Sequence, residues 1–129
     1  MSNQENKRKV LLVEPEKHPR VVEINDTLEA MQELVGGLIQ ALYPFEEEVA
    51  LICNEEGKLL ELPFNRALYD EDGDMYDIVS GTFFLVGAPS DSDGFASLTD
   101  EQIKKYTDYY NPIEVYTHTP LGLMVERRI

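Results

Sequence analysis

The sequence predicts an α+β domain built on a mainly antiparallel sheet of about six strands with two helices. Short runs rich in valine, leucine and isoleucine recur along the chain, and two segments have the spacing of amphipathic helices. These strands and helices do not alternate strictly, so antiparallel pairing is favoured over a parallel sheet. The 129 residues have the length of one domain, which we assign to residues 9–129.

The N-terminal third predicts a hairpin followed by a helix. Residues 1–8 are polar and are expected to form a flexible tail. KVLLV and RVVEI are β-branched runs separated by EKHP, which is typical of a turn between two strands. In NDTLEAMQELVGG, Asp26 and Glu29 have the spacing of a capping box, and Gly36 with Gly37 predicts the end of the helix.

The middle of the chain predicts further strands and turns. LIQALYPF and EVALICN are expected as two strands, followed by a tight turn at NEEGK with Gly57 at positive φ. LLELPFNRAL is expected at a sheet edge, because Pro63 cannot donate a backbone hydrogen bond. The Asp-Gly pair of DEDGD predicts a turn between two strands. DIVSGTFFLVGA is predicted as one buried strand, with a bulge or close approach at Gly81.

The C-terminal third predicts a loop, the second helix and a last hairpin. PSDSDGFAS is a loop of small polar residues. Thr99 and Gln102 have capping-box spacing at the start of the helix, and Asn111 with Pro112 predicts its end. The tail offers a hairpin around TPLG.

The charge balance limits the function classes. The chain has 25 acidic and 11 basic residues, a formal charge of −14 and a pI near 4.4. This field repels phosphate, so we expect no direct nucleic-acid binding and no contact with an anionic membrane. The N-terminal segment lacks the apolar stretch of a secretory signal or a membrane span, which predicts a cytoplasmic location. The excess charge either serves solubility alone or attracts a partner with a basic face.

The single cysteine gives no sign of catalysis. Cys53 lies in an apolar run and is expected to behave as a small hydrophobic residue. A lone cysteine allows no internal disulfide and no zinc site built on thiolates. The two histidines, His18 and His118, are far from it and from each other in sequence. Because no phosphate loop and no nucleophile-histidine spacing is present either, we expect neither a cofactor nor an enzymatic activity.

The acidic cluster between Asp70 and Asp77 does not fit a calcium loop. If Asp70 is taken as the first position of an EF-hand loop, Asp72 and Asp74 fall on ligand positions of that loop. Met75 stands where glycine is required, and Gly81 stands where the bidentate glutamate is required. We therefore interpret the cluster as a turn between strands and expect no metal.

Asn65, Arg66 and Tyr69 are the candidates for binding a ligand. An arginine beside a carboxamide can hold a carboxylate or phosphate by paired hydrogen bonds, and a tyrosine can add a stacking face. The alternative is that Arg66 pairs with one of the many acidic residues near it.

Several segments are similar, in order and spacing, to a known family. VLLVEPEKHPRVVEI, TLEAMQELVGG, YPFEEEVALICNEEGKLLELPFNRAL, DIVSGTFFLVG and SLTDEQIKKY resemble the domain of unknown function 3846 family. The likeness covers about residues 9–112. It implies a small cytoplasmic protein of bacteria, phages and mobile elements, sometimes found near anti-restriction genes, and it supplies no mechanism.

Two functional hypotheses follow. The first is a non-enzymatic interaction protein that docks on a basic host protein, in the manner of a DNA mimic or anti-defence protein. The alternative is a small-molecule or nucleotide binding module, with Asn65 and Arg66 in a pocket between the sheet and the APSDSDGF loop. The charges of the first hypothesis would come from Glu46, Glu47, Glu48, Glu55, Glu56, Asp70, Asp72, Asp74 and Asp77, together with Asp91, Asp93, Asp100 and Glu101.

Overall fold

The computed structural model describes residues 7–92 and 94–129, and within these ranges the chain forms nine strands and two helices. The helices are α1 (Leu28–Val35) and α2 (Asp100–Tyr110). The strands are β1 (Lys7–Val13), β2 (Arg20–Asn25), β3 (Ile39–Leu42), β4 (Val49–Asn54), β5 (Phe64–Tyr69), β6 (Met75–Ser80), β7 (Phe83–Gly87), β8 (Ile113–Thr119) and β9 (Gly122–Arg128).

The predicted α+β class with antiparallel pairing is confirmed, but the strands are divided differently. A five-stranded sheet has the order β2-β1-β7-β4-β3, while β5 pairs with β6 and β8 pairs with β9 in two separate hairpins. The described strands number nine instead of about six. One cause is Gly81, whose φ of 86° turns the chain between β6 and β7, where the sequence predicts one continuous strand.

The central strands of the large sheet are covered on both faces. Every residue of β4 and β7 is buried, which explains their continuous apolar sequences. On one face, Met31 and Val35 of α1 pack against the sheet. On the other face, the covering side chains come from α2 and from the β5–β6 hairpin. The domain therefore has three layers, with the large sheet in the middle.

Both helices begin at an N-terminal cap, and the sequence predicts the capping residue correctly for α2 but not for α1. The predicted capping box of α2 is present: Thr99 Oγ1 accepts from the backbone of Gln102 at 3.1 Å, and Gln102 Oε1 accepts from Thr99 N at 2.9 Å. For α1, the cap is Thr27 and not Asp26, because Thr27 Oγ1 accepts from Ala30 N. Asp26 instead forms an ion pair of 3.1 Å with Arg8.

The tight turn after β4 uses glycine for a reason other than the predicted one. Gly57 does not adopt a positive φ; the positive φ of this segment is at Glu61. A Cβ on Gly57 would lie 2.6 Å from the backbone oxygen of Ser80. The glycine is thus required by a close approach of two backbones.

The acidic turn and the two other hairpins form as predicted. Asp70 Oδ1 accepts from the backbone nitrogens of Asp72 and Asp74, both at 2.9 Å, and Gly73 has a φ of 83°. These bonds fix the turn that joins β5 to β6. β1 pairs with β2, and β8 pairs with β9.

The predicted N-terminal tail falls largely outside the described residues. Of residues 1–8, Lys7 and Arg8 belong to β1, where they lie opposite Asn25 and Ile24. Neither α1 nor α2, the helices of the described ranges, is long and apolar enough to cross a membrane.

Candidate functional site

A groove of about 630 Å³ lies between α2, the end of β5 and the segment before β4. We call it the tyrosine groove, because five aromatic residues line it: Phe45, Tyr69, Tyr106, Tyr109 and Tyr110. Its volume falls within the range of about 300–1,000 Å³ that is usual for ligand sites.

The helix α2 sets the floor of the tyrosine groove. Tyr106 and Tyr110 are one turn apart, face the sheet and are 3% and 2% exposed. Phe45 packs on Tyr106 with ring centroids 4.7 Å apart, and Tyr109 meets Tyr110 edge-on at 4.8 Å. Tyr109 is 53% exposed, so an aromatic face remains open at the mouth above a rigid floor.

Carboxylates form the rim of the tyrosine groove. Glu46, Glu47 and Asp108 line it together with Lys105, which leaves two negative charges in excess. Glu47 accepts a hydrogen bond of 2.6 Å from the Tyr106 hydroxyl and one of 3.1 Å from Lys105 Nζ. These bonds attach the segment before β4 to α2.

The contact between Glu47 and Tyr106 also moves the pKa values of these two groups further apart. The hydrogen bonds from Tyr106 and Lys105 lower the pKa of Glu47. Burial, followed by the bond to Glu47, raises the pKa of Tyr106. At neutral pH Glu47 is therefore ionised and Tyr106 is protonated, so the rim keeps its negative charge.

Predicted acidic residues lie at both ends of the tyrosine groove. The turn with Asp70, Asp72 and Asp74 directly follows Tyr69, and the three carboxylates come within 4.8 Å of one another. At the other end Glu48 accepts from the backbone of Ser90 at 2.6 Å. There a shallow depression is lined by residues 46–48 and by Thr99 and Gln102 at the start of α2, the turn that also carries Asp100 and Glu101.

Other predicted acidic residues lie elsewhere. Glu55 and Glu56 follow β4, whereas residues 46–48 precede it, and a six-residue strand spans roughly 20 Å. Asp77 is engaged by Lys58 in an ion pair near that far end. Asp93 is outside the described residues. The predicted acidic surface is therefore divided, and only part of it surrounds the tyrosine groove.

Asn65 and Arg66 are built into the fold. Arg66 is 2% exposed and donates to the main-chain oxygens of Tyr110 at 3.0 Å and of Lys17 at 2.8 Å. It also donates to Asn65 Oδ1 at 2.9 Å, while Asn65 donates to the main-chain oxygens of Val13 and Gly81. Within the described residues, the hydrogen-bond partners of Arg66 are thus main-chain and amide oxygens, and not the neighbouring carboxylate that is the alternative from the sequence.

Among the described residues of the APSDSDGF loop, none shares a pocket with Arg66, so the predicted pocket between them is not seen there. In that loop Ala88 and Phe95 pack on the face of the sheet that α1 covers. Arg66 bonds to the end of α2, which lies on the opposite face. Tyr69, the third predicted ligand residue, does line the tyrosine groove.

Glu114 is a buried hydrogen-bonding centre that the sequence did not reveal. It is 4% exposed and accepts from Ala67 N at 2.7 Å and from the Tyr116 hydroxyl at 2.8 Å. Arg127 Nε at 3.1 Å and the Tyr69 hydroxyl at 3.2 Å donate to its other oxygen. Glu114 thereby attaches the β8–β9 hairpin to β5 and holds Tyr69 at the wall of the groove. Its place in the strand segment IEVYTHT gave no local signal of this role.

The buried cysteine yields a first testable prediction. Cys53 is 5% exposed, and burial raises the pKa of its thiol to about 11. At pH 8 roughly one thiol in a thousand is then ionised. We expect an aromatic disulfide reagent to modify Cys53 at least about 100-fold more slowly in the folded protein than in urea. Equal rates in the two states would contradict this placement of Cys53.

Comparison with known proteins identifies a family without assigning an activity. The family model of a domain of unknown function, DUF3846, matches residues 7–111. No match was found among curated proteins or among solved structures. The matched range contains every residue that lines the tyrosine groove and ends before β8.

Proposed function

The chain belongs to the DUF3846 family of domains of unknown function, and we propose that it is a non-enzymatic protein that docks on a basic partner through the tyrosine groove. The observation that carries this proposal is a set of aromatic faces enclosed by a carboxylate rim. In this proposal the protein acts in the cytoplasm, belongs to a phage or other mobile element and occupies the basic face of a host DNA-binding protein.

The chemistry of the tyrosine groove suits an arginine or lysine side chain of the partner. A guanidinium can stack on the exposed ring of Tyr109 while it donates to Glu46 or Asp108. Stacking of a cation on an aromatic ring contributes about 0.5–2 kcal/mol, depending on how far water is excluded. Arg127 already makes such a contact within the chain, 5.3 Å from the centre of the Tyr69 ring.

The charge of the whole chain supports the same partner. A formal charge of −14 speeds the approach of a basic surface and repels nucleic acid. The carboxylates of the turn after Tyr69 and those before β4 place this field at both ends of the tyrosine groove. A partner therefore meets negative charge first and the aromatic faces afterwards.

The pKa shifts of Glu47 and Tyr106 favour a binding role of the groove over a catalytic one. A general acid or base works best when its pKa lies near the working pH. The pKa of Glu47 is lowered and that of Tyr106 is raised, so both are moved away from neutrality. These groups suit a fixed electrostatic rim better than proton transfer.

Charge reversal tests where the basic partner binds. We expect Asp72→Lys with Asp74→Lys to weaken binding of an arginine-rich peptide at low salt, with a loss that shrinks as salt is added. The matched control reverses Glu29 and Glu33, which are exposed on α1 across the sheet and change the net charge equally. Fluorescence anisotropy of the labelled peptide gives the affinities. Equal weakening by both pairs would show that only net charge matters and would contradict the proposal.

A further inference from the structure

A second groove lies along the outer face of β6. It has a volume of about 800 Å³ and is bounded by the segment 58–63, by β6 and by His118 of β8. We call it the Ser80 groove. It takes no part in the docking proposed above. Of the described residues, none lines both grooves, although Met75 and Asp77 pair with Tyr69 and Leu68 of the tyrosine groove across the β5–β6 hairpin.

The walls of the Ser80 groove follow from strand geometry. Side chains alternate along β6, so Tyr76, Ile78 and Ser80 share one face. Phe64 is the cross-strand partner of Ser80 and lies on the same face. Its ring packs 5.3 Å from Tyr116 and 6.3 Å from the imidazole of His118. One side of the groove is therefore aromatic.

Ser80 is the unusual member of this set. The residue is 5% exposed, and in the described part of the chain its Oγ is a buried side-chain atom without a hydrogen-bond partner. A buried hydroxyl left unpaired is destabilising, so such groups are rare unless something else satisfies them. Because this Oγ is buried, a ligand in the groove that Ser80 lines would reach it only after rotation about χ1.

The charges at the Ser80 groove restrict the ligand further. Lys58, Glu61 and Asp77 line it, and Lys58 is already paired with Asp77. Among these three side chains, one negative charge is in excess. A phosphate or carboxylate group is therefore disfavoured there.

From these observations we infer that the Ser80 groove binds a neutral heteroaromatic small molecule of the size of indole or adenine. Its ring would lie against Phe64 and His118, and its polar atom would exchange a hydrogen bond with Ser80 Oγ. The aromatic wall supplies apolar contact, and the serine fixes the orientation, as in other small-molecule sites.

Titration of the ¹⁵N-labelled full chain with indole, adenine and AMP tests this inference. We expect indole or adenine to shift the amide signals of Ile78, Ser80 and His118, and AMP to bind several-fold more weakly than adenine. Ser80→Ala should weaken binding about 2- to 10-fold, the range of one hydrogen bond. His118→Ala, at an exposed position, should weaken it as well.

Stability measurements separate binding from a merely structural role of Ser80. Ser80→Ala removes an unpaired buried hydroxyl, so the variant should melt at the same temperature as the parent or higher. Glu23→Gln, on the exposed edge strand β2, serves as the control that leaves binding unchanged. The inference is overturned if neither indole nor adenine shifts these signals at millimolar concentration, or if Ser80→Ala binds as tightly as the parent.

Discussion

Replacement of Arg66 by leucine is expected to lower the free energy of unfolding by about 3–5 kcal/mol, because it leaves several buried oxygens without donors. These are the main-chain oxygens of Tyr110 and Lys17 and the side-chain oxygen of Asn65. Lysine should recover less than half of the loss, because an ammonium cannot reproduce the fork of a guanidinium. Urea unfolding curves measure both effects.

The Arg66 experiment also separates its two possible roles. Arg128→Leu is the control, since that side chain is 61% exposed and should change stability by no more than about 0.5 kcal/mol. A residue kept to bind a ligand often costs stability, so its replacement would leave the protein unchanged or more stable. If the Arg66→Leu variant is stable but loses ligand binding, the result would therefore support the ligand-anchoring role of Arg66 that the sequence predicts.

Replacement of Glu114 by leucine should destabilise the protein by a similar amount, about 3–4 kcal/mol. The change deprives Ala67 N, two tyrosine hydroxyls and Arg127 of one shared acceptor. Glutamine keeps one acceptor but loses the charge opposite Arg127, so we expect a smaller loss of about 1–2 kcal/mol. Thermal unfolding followed by circular dichroism measures these losses.

A second readout links Glu114 to the tyrosine groove. Because Glu114 holds the Tyr69 hydroxyl, Glu114→Gln should also alter the near-ultraviolet signal of the tyrosines before unfolding begins. Glu126→Gln is the control, as its side chain is 67% exposed. If Glu114→Leu unfolds at the temperature of the parent, the β8–β9 hairpin is held by other contacts and this account of it is wrong.

The sequence predicted those features that are held by contacts between residues close to one another in the chain. The capping box of α2 depends on Thr99 and Gln102 alone, and the β5–β6 turn depends on Asp70 and its neighbours. The spacing of Ile103, Tyr106 and Tyr110 also predicts an inward stripe on α2, and Tyr106 and Tyr110 are buried in the structure.

The remaining features depend on residues that are distant in sequence. Arg66 donates hydrogen bonds to the main-chain oxygens of residues 17 and 110. Glu114 accepts one from β5, a strand that begins fifty residues earlier in the chain. No local pattern reveals such partners. The tyrosine groove likewise exists because the fold brings Phe45 and Tyr69 to α2, so its residues could be recognised only after the topology was known.

In the proposed docking mode the tyrosine groove receives a basic side chain of the partner. Titration of the ¹⁵N-labelled protein with a short arginine peptide, and with the same peptide carrying citrulline, measures whether it does. We expect amide shifts centred on Phe45, Tyr69 and Tyr109 with the arginine peptide, weaker binding in higher salt, and a loss of about 2- to 30-fold for Tyr109→Ala. If the shifts are the same for both peptides, or lie away from the groove and do not change in Tyr109→Ala, the groove does not bind a basic side chain.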